Sequence, residues 1–255
     1  MTLRSLCSGA DLRKLDPKLY QRQTPQMSLR KRIENSEWLV NVVGRLVLFY
    51  LNLVHRTTRW QSEGVDELRA AMAQGPVLLV MWHSRLMMIA HHWPVESGSL
   101  SSLHDTSPIA RVVGAVHQQS GLRPMKMSAR VSNIVASRTV LKRVKDGVSI
   151  GLTADGPLGP ALQLKDPPLE WARATGLPIF CYAFSTTRQR RAASWDQLLV
   201  PRPFGKGAYV FARFPQKVPR KPDADELANL RKDIASFIDA KTARADALID
   251  LPHGP

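Results

Sequence analysis

Five consecutive apolar residues, Val77-Leu78-Leu79-Val80-Met81, constrain this chain more than any other feature. The run is too short for a helix and lacks the apolar–polar alternation of a strand with one wet face. A strand of this kind is buried on both faces, the condition of a parallel sheet covered by helices. Two further strands are expected at Val148–Leu152 and Ile179–Phe184, and a weaker one at Leu100–Leu103. The segments between them read as helices. One runs from Gly64 to Ala73 before Gly75-Pro76, and Ser84 to His92 is helical in character. Another opens at Ser107-Pro108 and runs to Gln119, with proline well placed in its first turn. Ser132 can cap a helix to Lys145, Asp166-Pro167-Pro168 starts one ending at Gly176, and Asp223 or Asp225 caps a closing helix. Strand alternating with helix predicts an α/β class, a largely parallel sheet flanked by helices, in one domain over residues 57–250. A chain of 255 residues can bury one sizeable core, and 44% apolar with 22% charged residues excludes general disorder.

The amino-terminal quarter reads differently. Residues 1–35 are polar and basic with no clear period, as expected of a weakly ordered arm. Residues 36–56 hold the apolar run Trp38 to Val54 with Arg45 near its middle. Such a run would barely cross a hydrocarbon core of about 30 Å, and Arg45 disfavours a span. Glu37, Asn41, Arg45, Asn52 and Arg56 fall near one helical stripe, which fits a helix in the membrane interface with its polar stripe toward water or the domain. A buried core helix is the alternative. The net charge of +15 attracts polyanions, anionic lipid or nucleic acid. The chain carries no helix-turn-helix, zinc-finger or aromatic-interleaved RNA signature, so a nucleic-acid partner is not expected. Two cysteines argue for a reducing compartment, and Cys7 follows no apolar segment of a lipoprotein signal.

His83 stands at the carboxyl end of the first strand, where open α/β sheets present their ligands. An imidazole there can act as a general base, or be a structural histidine. A base of this kind works best with a carboxylate on its other nitrogen. Asp105, which ends the next short strand, is the first choice and Asp155 the second; for Asp105 the alternative is a helix cap ahead of Pro108. Asp155-Gly156-Pro157-Leu158-Gly159-Pro160 forms a tight turn able to aim backbone N–H groups at an oxyanion or phosphate, or a plain structural turn. Eight cations lie from Arg111 to Lys145 with no acid among them. From Arg188 to Lys221 there are nine against Asp196 alone. Such runs are either a solvated face or the partners of phosphates. His91 and His92 have no metal-ligand spacing, and no metal is expected.

These blocks, in this order, resemble the lysophospholipid acyltransferase superfamily, and within it a bacterial branch long described as a domain of unknown function. The members read Trp-His, an Asp-Gly-Glu-like stretch, Arg-Gly-Ser-Ser, Pro-Asp-Gly-Pro-x-Gly-Pro, and Ser-Trp-Asp before Pro-x-Pro-Phe. Here the places read Trp82-His83, His104-Asp105-Thr106, Lys126-Met127-Ser128-Ala129, Ala154-Asp155-Gly156-Pro157-Leu158-Gly159-Pro160, and Ser194-Trp195-Asp196 with Pro201-Arg202-Pro203-Phe204. The resemblance covers roughly residues 40–219. It departs at Met88, where the wider superfamily has an Asp five residues after the His, and at Lys126 in the arginine place. It implies a membrane-associated acyltransferase on a glycerophospholipid acyltransferase-like fold, at the cytoplasmic face of a bacterial inner membrane with anionic lipids. The donor would be an acyl-CoA or acyl-carrier-protein thioester, used as co-substrate with no bound cofactor, and the acceptor a (lyso)lipid hydroxyl. His83 would be the base and Asp105 its orienter. Lys126, Ser128 and Arg130 would bind the acceptor phosphate, and Asp155, Gly156, Pro157 and Gly159 the substrate. Ser194-Trp195-Asp196 and Pro201-Arg202-Pro203-Phe204 are read as packing and as a lip near the acyl or membrane surface. A non-catalytic lipid- or membrane-binding protein on the same fold is the rival class.

Overall fold

The structure, a computed structural model, describes residues 36–104, 107–126 and 133–254. Helix α1 (Glu37–Thr57) leads into strand β1 (Arg59–Glu63), helix α2 (Val65–Gln74) and strand β2 (Leu78–Met81). A single 3-10 turn, His83–Arg85, and the short α3 (Ile89–His92) follow. Next come β3 (Leu100–His104), α4 (Pro108–Gln119), β4 (Met125–Lys126), α5 (Asn133–Lys145), β5 (Ser149–Thr153), α6 (Asp166–Thr175) and β6 (Ile179–Thr186). A hairpin of β7 (Gln189–Arg191) and β8 (Leu199–Pro201) precedes β9 (Lys206–Arg213) and the closing α7 (Ala224–Ala247). Two of the helices begin at side-chain caps: Ser107 Oγ accepts from the Ala110 N–H at 3.2 Å, and Asp223 Oδ1 from the Glu226 N–H at 2.7 Å.

Seven strands form one sheet in the order β1-β9-β6-β2-β5-β3-β4. The five from β6 to β4 are parallel; β9 runs antiparallel to β6, and β1 parallel to β9. Every residue of β2 and β6 is buried, as the unbroken apolar runs require. Alternate β2 residues divide between two cores. Leu78 and Val80 pack under α5, α6 and α7, while Leu79 and Met81 pack under α1, α2, α3 and α4. The result is the expected α/β class, a mostly parallel sheet between two helical layers.

Helix α1 belongs to the second layer. Gly44 approaches α4 so closely that a Cβ there would lie 3.1 Å from that of Ala115. Its first turns border His104 and Lys126 at the carboxyl ends of β3 and β4; in its second half the Tyr50 hydroxyl donates to the Pro201 carbonyl at 2.7 Å, and at its end the Thr57 hydroxyl accepts from the Phe204 N–H at 3.2 Å. At 1.5 Å per residue the helix is about 30 Å long, the width of seven strands about 4.8 Å apart. It therefore follows the carboxyl edge of the sheet. By length and composition it could cross a membrane. Gly44, Leu51 and Val54 are buried, whereas Trp38, Leu46, Phe49 and Leu53 point outward with Arg45 and Arg56. The polar stripe expected from the sequence is divided: Asn52 turns inward to His91 at 3.0 Å, and the arginines stay on the exposed side. The arm expected over residues 1–35 lies outside the described residues.

Candidate active site

His83 begins the 3-10 turn directly after β2, and both its main chain and its ring are held. Asp155, buried in the turn after β5, accepts from the His83 backbone N–H at 2.9 Å through Oδ1 and from Leu162 N–H at 3.2 Å through Oδ2. Burial raises the Asp155 carboxyl above its ordinary pKa, opposed in part by these backbone N–H groups. Neighbouring parallel strands thus bring the Trp-His and Asp-Gly-Pro blocks together. At the other end of the turn, the fully buried Arg85 grips Asp246 of α7 bidentately at 2.8 and 2.9 Å. It also donates to the carbonyls of Phe184 at 3.0 Å and Gly254 at 2.5 Å. Before the turn, Trp82 Nε1 donates to Asp239 at 2.7 Å.

The ring partner is Asp196. Its Oδ2 lies 2.7 Å from His83 Nδ1, and the Ser194 hydroxyl donates to Oδ1 at 2.5 Å. Both serine and aspartate sit in the loop between β7 and β8, which the hairpin carries across the carboxyl edge from β6. Asp196 is 3% exposed and His83 27%, so the carboxylate is sheltered while the imidazole is reachable from solvent. Burial acts to raise the Asp196 carboxyl, but hydrogen bonds from Ser194 and His83 outweigh it and hold the group below its ordinary value. An ionised Asp196 assigns the ring proton to Nδ1, leaving the Nε2 lone pair for a substrate proton. That arrangement can do general base chemistry.

Trp195 lies between the two loops, its ring centroid 5.2 Å from that of His83. Gly159 has φ 66°, and a Cβ there would stand 2.6 Å from the Trp195 ring. Glycine is needed on both counts. The Ser-Trp-Asp block, read from sequence as packing, therefore supplies the carboxylate of the pair and the wall beside it. Asp105, expected as orienter, lies outside the described residues, as do Ser128 and Arg130; the carboxylate on the ring is Asp196. Asp155 accepts main-chain N–H groups of the chain itself and so holds the backbone of His83. Gly156 and Pro157 extend the same turn at the surface. Lys126 is exposed on β4, three strands from β2, or about 14 Å across the sheet.

Asp196 had one sequence signal, as the single acid among nine cations from Arg188 to Lys221. A carboxylate that folding holds against so many positive charges has a reason to be there. The Arg85–Asp246 pair had none, its partners being 161 residues apart.

Three other histidines meet beneath α1. The His55 ring lies 5.4 Å from that of His91 and 5.8 Å from that of His92. His92 stacks on Tyr209 at 3.9 Å and bonds the Tyr182 hydroxyl at 2.8 Å. His55 Nδ1, His91 Nδ1 and His92 Nε2 have no hydrogen-bond partner among the described residues. Burial, and the neighbouring histidines, hold His91 down at about 4 and His92 well below the usual imidazole range; burial and Arg56 lower His55. These rings are neutral packing groups. No cluster among the described residues is arranged to hold a metal.

No family model matches the chain. An uncharacterized protein of Rickettsia prowazekii (strain Madrid E) is 27% identical over 182 residues, covering 70% of this chain and 82% of that protein.

Proposed function

We propose that this chain is a membrane-associated acyltransferase of the glycerophospholipid acyltransferase kind. It moves a fatty acyl group from an acyl-CoA or acyl-carrier-protein thioester to a lipid hydroxyl. The observation that carries the reading is the 2.7 Å contact between a reachable His83 and a sheltered Asp196, at the carboxyl edge of a parallel sheet. In the reaction, His83 Nε2 takes the acceptor hydroxyl proton as the oxygen attacks the thioester carbonyl. The carbon–sulfur bond then breaks, and the imidazolium returns the proton to the leaving thiolate. Asp196 stabilises that imidazolium and fixes the tautomer. A base so placed contributes about 10²–10⁴-fold in rate.

The position of α1 supports the membrane half of the reading. Its exposed Trp38, Leu46, Phe49 and Leu53, flanked by Arg45 and Arg56, make an apolar face with cations at its margin along the edge where His83 opens. A helix packed on α4 through its first half and against His91 and Pro201 through its second lies on a bilayer rather than crossing it. Thioester donors and a reducing compartment together favour the cytoplasmic face of a bacterial inner membrane. The same exposed face would equally serve a lipid-binding protein without activity. The deciding experiment incubates purified protein with acyl-CoA and with acyl-carrier protein against a panel of lysolipids and lipid precursors. Transfer that disappears in His83→Gln supports the enzyme. Vesicle binding with no transfer to any acceptor leaves the binder.

A further inference from the structure

The two members of the dyad come from loops 113 residues apart, and a contact of 2.7 Å between them needs both loops held to within about 0.5 Å. On the Asp196 side the turn contains an uncommon backbone. Gln197, the next residue, has φ 49°, in the left-handed region that few side chains enter. Its carbonyl accepts from Arg191 Nη1 of β7 at 3.3 Å. Arg191 is half-buried and pairs with no carboxylate among the described residues. Burial and the neighbouring Arg85 lower its guanidinium to about 10, with Asp246 opposing them. It is still a cation at neutral pH, kept where its surroundings disfavour the charge. On the His83 side, Arg85 stands two residues after the imidazole, bound to Asp246 and to the Gly254 carbonyl. Gly254 lies in the segment that leaves α7 and turns through Asp250 at φ 59°. Its own N–H donates to Asp246 Oδ2 at 3.1 Å. A Cβ on Gly254 would stand 3.4 Å from Arg191 Nη2. The segment that fastens the His83 turn therefore lies against the cation that fastens the Asp196 turn.

We propose that Arg191 is a positioning residue for the dyad, clasping the Asp196 turn through the Gln197 carbonyl against the Arg85–Asp246–Gly254 anchor of the His83 turn. It bonds to neither member of the dyad and acts through the place of Asp196. The kinetic part of this inference rests on the proposed acyl transfer; the placement of the carboxylate does not. Arg85 and Asp246 are poor places to test it, because removing either leaves an uncompensated buried charge.

The test joins steady-state kinetics to NMR of the full chain carrying nitrogen-labelled histidine. Arg191→Met keeps most of the side-chain length and removes the charge and its donors. It should lower kcat about 30-fold at unchanged KM, since a misplacement of about 1 Å is worth about 10²-fold. The His83 Nδ1–H signal, sheltered by Asp196 in the parent, should broaden through exchange with water. Arg191→Lys, which keeps a donor for the Gln197 carbonyl, should recover most of the rate. Arg190→Met removes the same charge one residue away, from a side chain on the other face of the hairpin, and should leave both readouts unchanged. Adding Arg191→Met to Asp196→Asn should cost nothing further, because no carboxylate then remains to be placed. Should Arg191→Met fail to fold, Arg191→Gln takes its place with the same signs expected. Losses that multiply in the double variant, or an unchanged Nδ1–H signal, would overturn the positioning role. A raised KM would overturn it too, and make Arg191 a substrate contact. A parent protein that transfers to no acceptor would remove the proposed function, and the Nδ1–H signal would still decide the clasp.

Discussion

His83 and the His55–His91–His92 cluster place the same side chain in opposite environments. His83 is partly exposed, and a sheltered carboxylate faces one of its nitrogens. The cluster is packed among Trp60, Tyr182 and Tyr209 with no carboxylate hydrogen-bonded to its rings and three ring nitrogens unpaired among the described residues. Desolvation drives the cluster toward the neutral form, where the rings serve as flat packing groups; a carboxylate on one nitrogen orients the other imidazole. The contrast separates a histidine that can do chemistry from histidines that hold α1 against the sheet.

Substitution should divide the two along that line. His83→Ala should lower kcat for acyl transfer by about 10²–10⁴-fold, or about 3–5 kcal/mol in barrier, with an unchanged denaturation midpoint. Steady-state kinetics beside urea unfolding reads both. Asp196→Asn should cost on the order of 10²-fold in kcat: its amide can offer N–H to Nδ1 and place the ring proton on Nε2, the wrong tautomer for a base. A rate equal to wild type would leave Asp196 a structural neighbour only.

The cluster should behave in the reverse way. His92→Ala removes a ring stacked on Tyr209 and strands the Tyr182 hydroxyl, which should cost about 3 kcal/mol of stability while kcat per folded molecule stays the same. Acid should act on the same seam. His91 and His117 are both lowered to about 4. Their folded values lie below the unfolded value of about 6.5, so between those limits the unfolded chain takes up protons and the folded chain does not. Stability is then full above about pH 6.5, falls as the pH drops to about 4, and changes little more from these groups below it. His91 alone accounts for a loss on the order of 3 kcal/mol. Unfolding free energies measured across that range check the slope, and His91→Asn should flatten it. The smallest effect is expected from Ser194→Ala, about tenfold in kcat, because Asp196 keeps its place but loses one donor.

The sheet was legible in the sequence for a local reason. An unbroken apolar run such as Val77–Met81 can only be covered on both faces, so β2, β5 and β6 follow from residues a few positions apart. Helix starts at Pro108 and Asp166, and the cap at Asp223, are local in the same sense. His83 was legible because a strand end is a place that sequence can mark. Its partner was not, since the two are 113 residues apart and meet only because β6 runs beside β2 and the β7–β8 hairpin then returns over the edge. Asp105 is the choice a sequence offers because it ends the next short strand and could return to the same sheet edge; it lies outside the described residues, and crossovers in a parallel sheet put a far more distant segment beside the ring. Asp155 is marked in the sequence by its Asp-Gly-Pro turn, whereas its hold on the main chain of His83 needs coordinates. On α1 the period gave the helix, but Asn52 turned inward because His91 waits beneath it.

The central claim, that the His83 imidazole is the base for acyl transfer, is tested most directly by chemical rescue. Transfer by folded His83→Ala should collapse, then rise with added imidazole, since the vacated position is partly open to solvent and Asp196 remains to orient the guest. Among substituted imidazoles of similar size, the recovered rate should increase with basicity, as a proton-transfer step requires. Undiminished transfer by folded His83→Ala with no imidazole present would contradict the account.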